Sequence, residues 1–237
     1  MATAESGPVL AVASHRREFA GLLRHASWVS PLPWPIQHAS NAKISNSEWI
    51  LAANGEGPRC AAAAMRCALE SSTPAAVVST GFCGALDPAL RSGDVFVARK
   101  VIDGSGIEYE AMLPRASREC ATGALLSLDR IAVTAGEKAA LLCRGAAAVE
   151  MEAATVAEAA RRRAIPFYCI RVVSDGAQSD LPVDFNRHRT AEGRIDTWGV
   201  ARHAAIRPWL WPRLFRITLD ASHASRILGD YLAACRF

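Results

Sequence analysis

Between Ala146 and Asp175 the chain reads AAAVEMEAATVAEAARRRAIPFYCIRVVSD: a short apolar run, an Ala-rich stretch and a second apolar run. Two buried strands joined by a helix restrict the chain to architectures in which a crossover helix links neighbouring strands. The same segment places two carboxylates. Glu152 falls where the strand Ala146–Val149 gives way to the helix, and Asp175 where the strand Phe167–Val173 ends. In an open α/β sheet the carboxyl ends of the strands form the ligand crevice, so two acids delivered there can divide a reaction between them. Both features also have plainer readings. Glu150 and Glu152 suit a helix N-terminus, where the macrodipole favours carboxylates, and Asp175-Gly176 suits a turn.

The rest of the chain follows the same alternation. An apolar strand at Pro8–Ser14 runs into His15–Ala26, where Phe19, Leu22 and Leu23 recur at helical spacing. Pro31, Pro33 and Pro35 make a stiff connection to two strands, Ile36–Ile44 and Glu48–Ala53, arranged as an antiparallel excursion. Gly57–Glu70 reads as a helix, and Ala75–Thr80 as a buried strand closed by the Gly-rich turn STGFCGAL. Further strands are expected at Gly93–Ile102, Ile107–Met112 and Arg130–Thr134, with a short helix at Lys138–Cys143 and a helical tail over 196–235. This pattern predicts one α/β domain over 1–237 with a mostly parallel or mixed sheet, residues 1–7 flexible and 196–237 packed on the domain as a helical tail.

Composition removes several function classes. A net charge of +4 over 237 residues, without interleaved aromatic and basic residues, argues against a nucleic-acid partner. The seven cysteines show no metal-ligand spacing and an odd count, which suits reduced thiols in a cytoplasmic protein. Met1–Pro8 has no signal-peptide pattern, and no apolar run reaches the roughly 20 residues of a spanning helix. STGFCGALDPALRSGD lacks G-x-G-x-x-G, so it is no dinucleotide loop; its small residues Gly81, Cys83 and Gly84 permit close backbone approach to a ligand. Glu18, in SHRREF, follows a strand end; most glutamates so placed are solvated. No P-loop, Ser-His-Asp order or metal cluster stands out.

Three segments, STGFCGALDPALRSGDVFVARKV, AAAVEMEAATVAEAARRRAIPF and IRVVSD, resemble the purine nucleoside phosphorylase and methylthioadenosine nucleosidase superfamily over most of the chain. Within it the stretch EKAALLCRGAAAVEME, the DLP after Asp175, GRID and the Pro/Trp/Leu-rich tail are most similar to the hopanoid-associated phosphorylases, which are linked to release of adenine from adenosylhopane. The resemblance implies a three-layer α/β/α fold around a mixed, partly barrel-like sheet, and an enzyme that breaks the N-glycosidic bond of an adenine nucleoside. It implies that Glu152 holds the ribose hydroxyls with Met151 against the sugar. Asp175 would serve N7 of the departing purine with Ser174 placing it, and Glu18 would activate the attacking water. Arg171 would lie near the nucleophile, and Gly81, Phe82, Cys83 and Gly84 in the turn under the substrate.

The departures matter. Ser79 stands where the bacterial phosphorylases carry a phosphate-gripping arginine, Phe82 replaces a small hydroxyl residue, and the loop around Ala135–Lys138 is short. The missing arginine favours water over inorganic phosphate as the nucleophile, although Arg16, Arg17 or Arg171 could form a different phosphate site. No cofactor is expected beyond phosphate as a co-substrate. Phe82 crowding the nucleophile would instead suit a catalytically silent nucleoside-binding or membrane-associated protein, and a basic cluster near the ribose 5′ end would suit an AMP nucleosidase. In the tail, Leu210, Leu214, Ile217, Ala221, Ala224 and Leu228 form one apolar stripe, and Trp211, Phe215 and Leu219 a second, ringed by Arg207, Arg213 and Arg216. Two stripes suit a homodimer interface or a peripheral membrane contact.

Overall fold

The computed structural model describes residues 7–190, 196–205, 207 and 211–237. From the N-terminus, strand β1 (Val9–Ala13) leads through a 3₁₀ turn at Arg16–Phe19 into a single turn of helix, α1 (Ala20–Leu23). Strands β2 (Ala26–Pro31), β3 (His38–Ile44) and β4 (Ser47–Ala53) follow, then α2 (Pro58–Ser71), β5 (Ala76–Ala85), β6 (Val95–Asp103) and the short β7 (Glu108–Glu110). Strand β8 (Ala121–Ser127), α3 (Ala135–Leu142), β9 (Ala148–Glu150), α4 (Ala153–Arg162) and β10 (Phe167–Asp175) complete the sheet, before α5 (Thr197–Ala205) and α6 (Trp211–Ala234).

The sheet is mixed and partly closed. Strands β10, β6, β8, β9 and β5 form a ring, because β10 pairs with both β6 and β5. From β5 the sheet continues outward through β1, β4 and β3 to the edge strand β2. The long central pair β5–β10 is parallel from Val77 opposite Phe167 to Gly84 opposite Asp175. Their first halves, Ala76–Val78 and Phe167–Ile170, are apolar on both faces because helices cover both faces. Met65 and Ala68 of α2 with Val156 and Ala160 of α4 fill one side of the sheet. Phe19, Leu22 of α1 and Ala224, Leu228 and Leu232 of α6 fill the other. The result is the expected three-layer α/β/α arrangement around a partial five-strand barrel.

Several sequence expectations need correction. The helix expected over His15–Ala26 stops at Leu23, and Ala26–Pro31 is a strand paired antiparallel to β3. Its residues from Ser27 onward are exposed, so no apolar alternation marks it. Arg130–Thr134 is not a strand; the strand lies at Ala121–Ser127, whose Ala, Gly and Ser content hides a segment held by parallel partners β6 and β9. STGFCGAL is not a turn: all of it but Leu86 forms the second half of β5, with Gly81 at φ 134°. Of the tail, 206 and 208–210 and the side chains of 212–219 lie outside the described residues, as does the flexibility expected of residues 1–6. Among the described residues, no helix is long and apolar enough to cross a membrane. All seven cysteines are free.

The contact of α6 with α1 determines whether α6 can reach the cavity described below. The two helices meet at glycines: a Cβ on Gly229 would overlap the backbone of Gly21, and one on Gly21 would overlap the backbone of Ser225. Ser225 Oγ locks the crossing by donating to the Arg17 carbonyl at 2.8 Å and accepting from Gly21 N–H at 3.2 Å. Gly229→Ala should therefore force the helices apart. Overpacking of this kind costs about 1–3 kcal/mol. A melting temperature lowered by on the order of 5 °C is the expected outcome in a thermal scan; an unchanged one would show that α1 moves freely.

Candidate active site

A cavity of about 290 Å³ opens where β1, β5, β9 and β10 end. Its wall is built in layers. Strand β9 ends in Glu150, and the chain turns through Met151 and Glu152 into α4. Glu150 folds back over that helix start, accepting from Glu152 N–H at 2.9 Å and from Ala153 N–H at 3.0 Å. It also pairs with the guanidinium of Arg171, which is 1% exposed. Arg171 donates further to Thr80 O at 2.6 Å and Ser79 Oγ at 2.7 Å. Burial works against the Arg171 charge, but Glu150 and the neighbouring acids hold its pKa above the ordinary arginine value.

Glu152 is left facing the cavity, with Oε1 accepting the Gly57 N–H at 2.7 Å. That donor is available because Gly57, at φ 89°, precedes the Pro58 that starts α2. Burial raises the Glu152 pKa, repulsion from Glu150 raises it further, and Arg171 offsets part of the effect. Glu18 comes from the 3₁₀ turn after β1. It is 3% exposed, and its Oε2 accepts the Ser14 N–H at 3.2 Å. Burial raises its pKa too, while His15 and Arg171 pull it down. Gly81 is what lets Glu18 in: a Cβ there would overlap Glu18 Oε2.

At the opposite end, β10 delivers Asp175. Ser174 Oγ lies 2.6 Å from Asp175 Oδ1 and 3.1 Å from the Cys83 carbonyl, so its one proton has two acceptors. Gly84 faces Asp175, and a Cβ at residue 84 would come within 3.1 Å of its carboxyl. Asp175 Oδ2 receives a bond of 2.5 Å from Lys138 Nζ.

The structure thus brings together most of the residues singled out in the sequence. Glu18, Phe82, Cys83, Gly84, Met151, Glu152, Ser174 and Asp175 all line one cavity. Gly81 and Arg171 do not line it; they stand one layer behind, between Glu18 and Glu150. Three residues went unnoticed in the sequence. Lys138 is fully buried. His15 Nε2 meets Glu56 Oε1 at 2.6 Å in the cavity wall, and this hydrogen bond raises the His15 pKa. Their one sequence signal is position: His15 follows β1 and Glu56 follows β4, neighbouring parallel strands whose ends meet at the cavity.

Comparison with known proteins gives consistent relatives. The family model of the phosphorylase superfamily matches residues 36–124 and 110–197. The chain is 27% identical over 183 residues to the 5′-methylthioadenosine/S-adenosylhomocysteine nucleosidase of Shewanella sp. (strain W3-18-1), covering 63% of this chain and 78% of that protein. It is 30% identical over 174 residues to the nucleosidase of the same description from Glaesserella parasuis serovar 5 (strain SH0165), covering 61% and 75%. Among solved structures, futalosine hydrolase of Helicobacter pylori strain 26695 superposes with a TM-score of 0.73 at 16% identity, covering 98% of each chain. The S. pneumoniae 5′-methylthioadenosine/S-adenosylhomocysteine nucleosidase with a transition-state inhibitor gives 0.73 at 19% identity, covering 96% and 97%. At such identities the structural likeness speaks to the fold.

The environment of Glu18 has a measurable consequence. A glutamate whose proton affinity rises on folding takes stability away as pH climbs from its unfolded pKa through its folded one. Glu18→Gln is therefore expected to melt above the parent protein at about pH 8, with the gap closing near pH 4 as Glu18 takes up its proton. Calorimetry across that range checks it; a gap independent of pH would mean the buried charge is not its source.

Proposed function

The chain belongs to the phosphorylase superfamily, and we propose that it breaks the N-glycosidic bond of an adenine nucleoside by hydrolysis, releasing adenine. The observation that carries this reading is the placement of three carboxyl groups in three different environments around one cavity: Glu18, Glu152 and Asp175. The nucleosidases among the relatives support the same reaction class.

Each role follows from its surroundings. As the bond lengthens, the ribose becomes cationic and the base anionic. Glu152, with Oε1 held by Gly57 N–H, keeps Oε2 for a ribose hydroxyl, and Met151 packs under the sugar. Burial makes a bare negative charge on Glu152 or Glu18 unfavourable. The positive charge that develops on the sugar supplies what is missing, so the attraction is greatest in the transition state. Glu18 takes the proton of the attacking water. Asp175, with Ser174 beside it, serves N7 of the purine.

Water suits this site better than phosphate. Ser79 is buried and accepts from Arg171, whose guanidinium is committed to Glu150, Thr80 and Ser79 behind the wall. A phosphate dianion would also have to sit against the buried carboxyl of Glu18. Arg17 lines the cavity and keeps phosphorolysis as an arm of the test. Phe82 also lines it, which favours the silent nucleoside-binding reading as a second outcome. The exposed indoles of Trp198 and Trp211 support a further contact of the C-terminal region, with a second copy of the chain or a membrane surface.

Incubation with adenosine, methylthioadenosine and a 5′-alkylated adenosine, each with and without phosphate, should release adenine without any need for phosphate. The 5′-alkylated substrate tests the hopanoid assignment. Strict phosphate dependence would make the protein a phosphorylase; bound but uncleaved nucleoside would make it a binding protein. Asp175→Asn should lower the rate by on the order of 10²-fold or more.

A further inference from the structure

Lys138 is fully buried, the most enclosed cation among the described residues, with Arg171 next. A lysine is expected at a helix surface, and sinking an ammonium group is costly unless every N–H finds a partner. Here all three do. Nζ donates to Asp175 Oδ2 at 2.5 Å, to Gly176 O at 2.9 Å and to Ser179 O at 3.0 Å. Helix α3 presents the side chain from its first turn, which is fixed by Thr134 Oγ1 accepting from Glu137 N–H at 3.1 Å. The two carbonyls hold the ammonium from behind, and Asp175, which lines the cavity, stands in front of it.

This geometry gives Asp175 two donors, Ser174 on Oδ1 and Lys138 on Oδ2. A serine hydroxyl is a far weaker acid than an ammonium group, so of the two donors Lys138 is the stronger acid. We infer that Lys138 acts through Asp175 to protonate the departing purine, as a positioning residue that is also the proton source. The inference rests on the proposed nucleoside cleavage. In that step the C1′–N9 electron pair passes to the base, and a lone pair of water forms the new C1′–O bond. Purine N7 takes a proton from Asp175 as Asp175 takes one from Lys138 Nζ. The water proton goes to Glu18. Lys138 is left as a neutral amine between the Gly176 and Ser179 carbonyls, and it recovers its proton from solvent once adenine has gone, as Glu18 releases its own.

The test compares two leaving groups. Adenosine needs a proton on its base; 4-nitrophenyl β-D-ribofuranoside expels a stable phenolate and needs none. For Lys138→Met, kcat on adenosine should fall by on the order of 10²-fold or more while kcat on the nitrophenyl riboside stays within about 3-fold of the parent. The ratio of the two rates cancels the fraction of folded protein, so a partly unfolded sample still reports. Lys138→Gln, which keeps an amide for the two carbonyls, should show the same fall in ratio and serves where the methionine variant does not fold. Equal loss on both substrates, or no loss on either, would overturn the inference and leave Lys138 a staple of the loop after β10. Asp175→Asn separates the two levels: if it lowers the ratio and the Lys138 variants do not, the inference fails while the proposed function stands. Absence of adenine release by the parent protein would remove both.

Discussion

The buried ion pair of Arg171 with Glu150 organises the centre of this molecule. Arg171 comes from β10, Glu150 from β9, and the other guanidinium bonds reach Ser79 and Thr80 on β5. One side chain thus ties three strands of the five-strand ring at the level where the cavity begins. Glu150 in turn accepts the first free N–H groups of α4, so the same pair sets where that helix starts and which way Glu152 faces. Breaking such a pair from one side leaves an uncompensated buried charge, which typically costs 3–5 kcal/mol. Glu150 reaches the cavity wall while Arg171 stands behind it, so a cation close to the site shapes the wall without lining it.

The same pair explains why the strand β5 needs glycines. With Arg171 and Glu18 both directed at its middle, there is no room for a side chain at Gly81, and the backbone there takes a φ of 134°. Further along, Gly84 leaves room for the Asp175 carboxyl. What reads in sequence as a Gly-rich turn is a strand thinned at the two points where acids approach it.

That misreading marks how far the sequence was legible. Strongly apolar elements declared themselves: β10 and the α4 crossover stand where the sequence places them. Elements stabilised by neighbours did not. β8 (ATGALLS) is diluted by Ala, Thr, Gly and Ser and exists because β6 and β9 flank it, and β2 is an exposed edge without alternation. The site divides in the same way. Glu152, Asp175 and Glu18 sit at strand ends inside recognisable motifs. Lys138 lies in the Ala-rich start of a helix, 37 residues from Asp175, and looks like any surface lysine until the chain folds. His15 and Glu56 are separated by 41 residues and meet only because β1 and β4 run parallel side by side.

The carboxyl groups of the site sort themselves by their cations. Glu150 has Arg171 and Asp175 has Lys138, each in direct contact. Among the described residues, Glu18 and Glu152 form no direct ion pair, and burial raises the proton affinity of both. An acid already matched to a fixed cation gains little from a second positive charge, whereas an unmatched buried one gains a great deal, because the low dielectric strengthens the attraction. The two unmatched carboxyls are the ones expected to face the sugar, where positive charge appears only as the bond breaks. In the proposed reaction Asp175, matched to Lys138, would face the base, where the charge that appears is negative and a proton, not a counter-ion, is what must be supplied. The division of cations among these four acids therefore gives the cavity an electrostatic direction, which the proposed reaction would use as a sugar end and a base end.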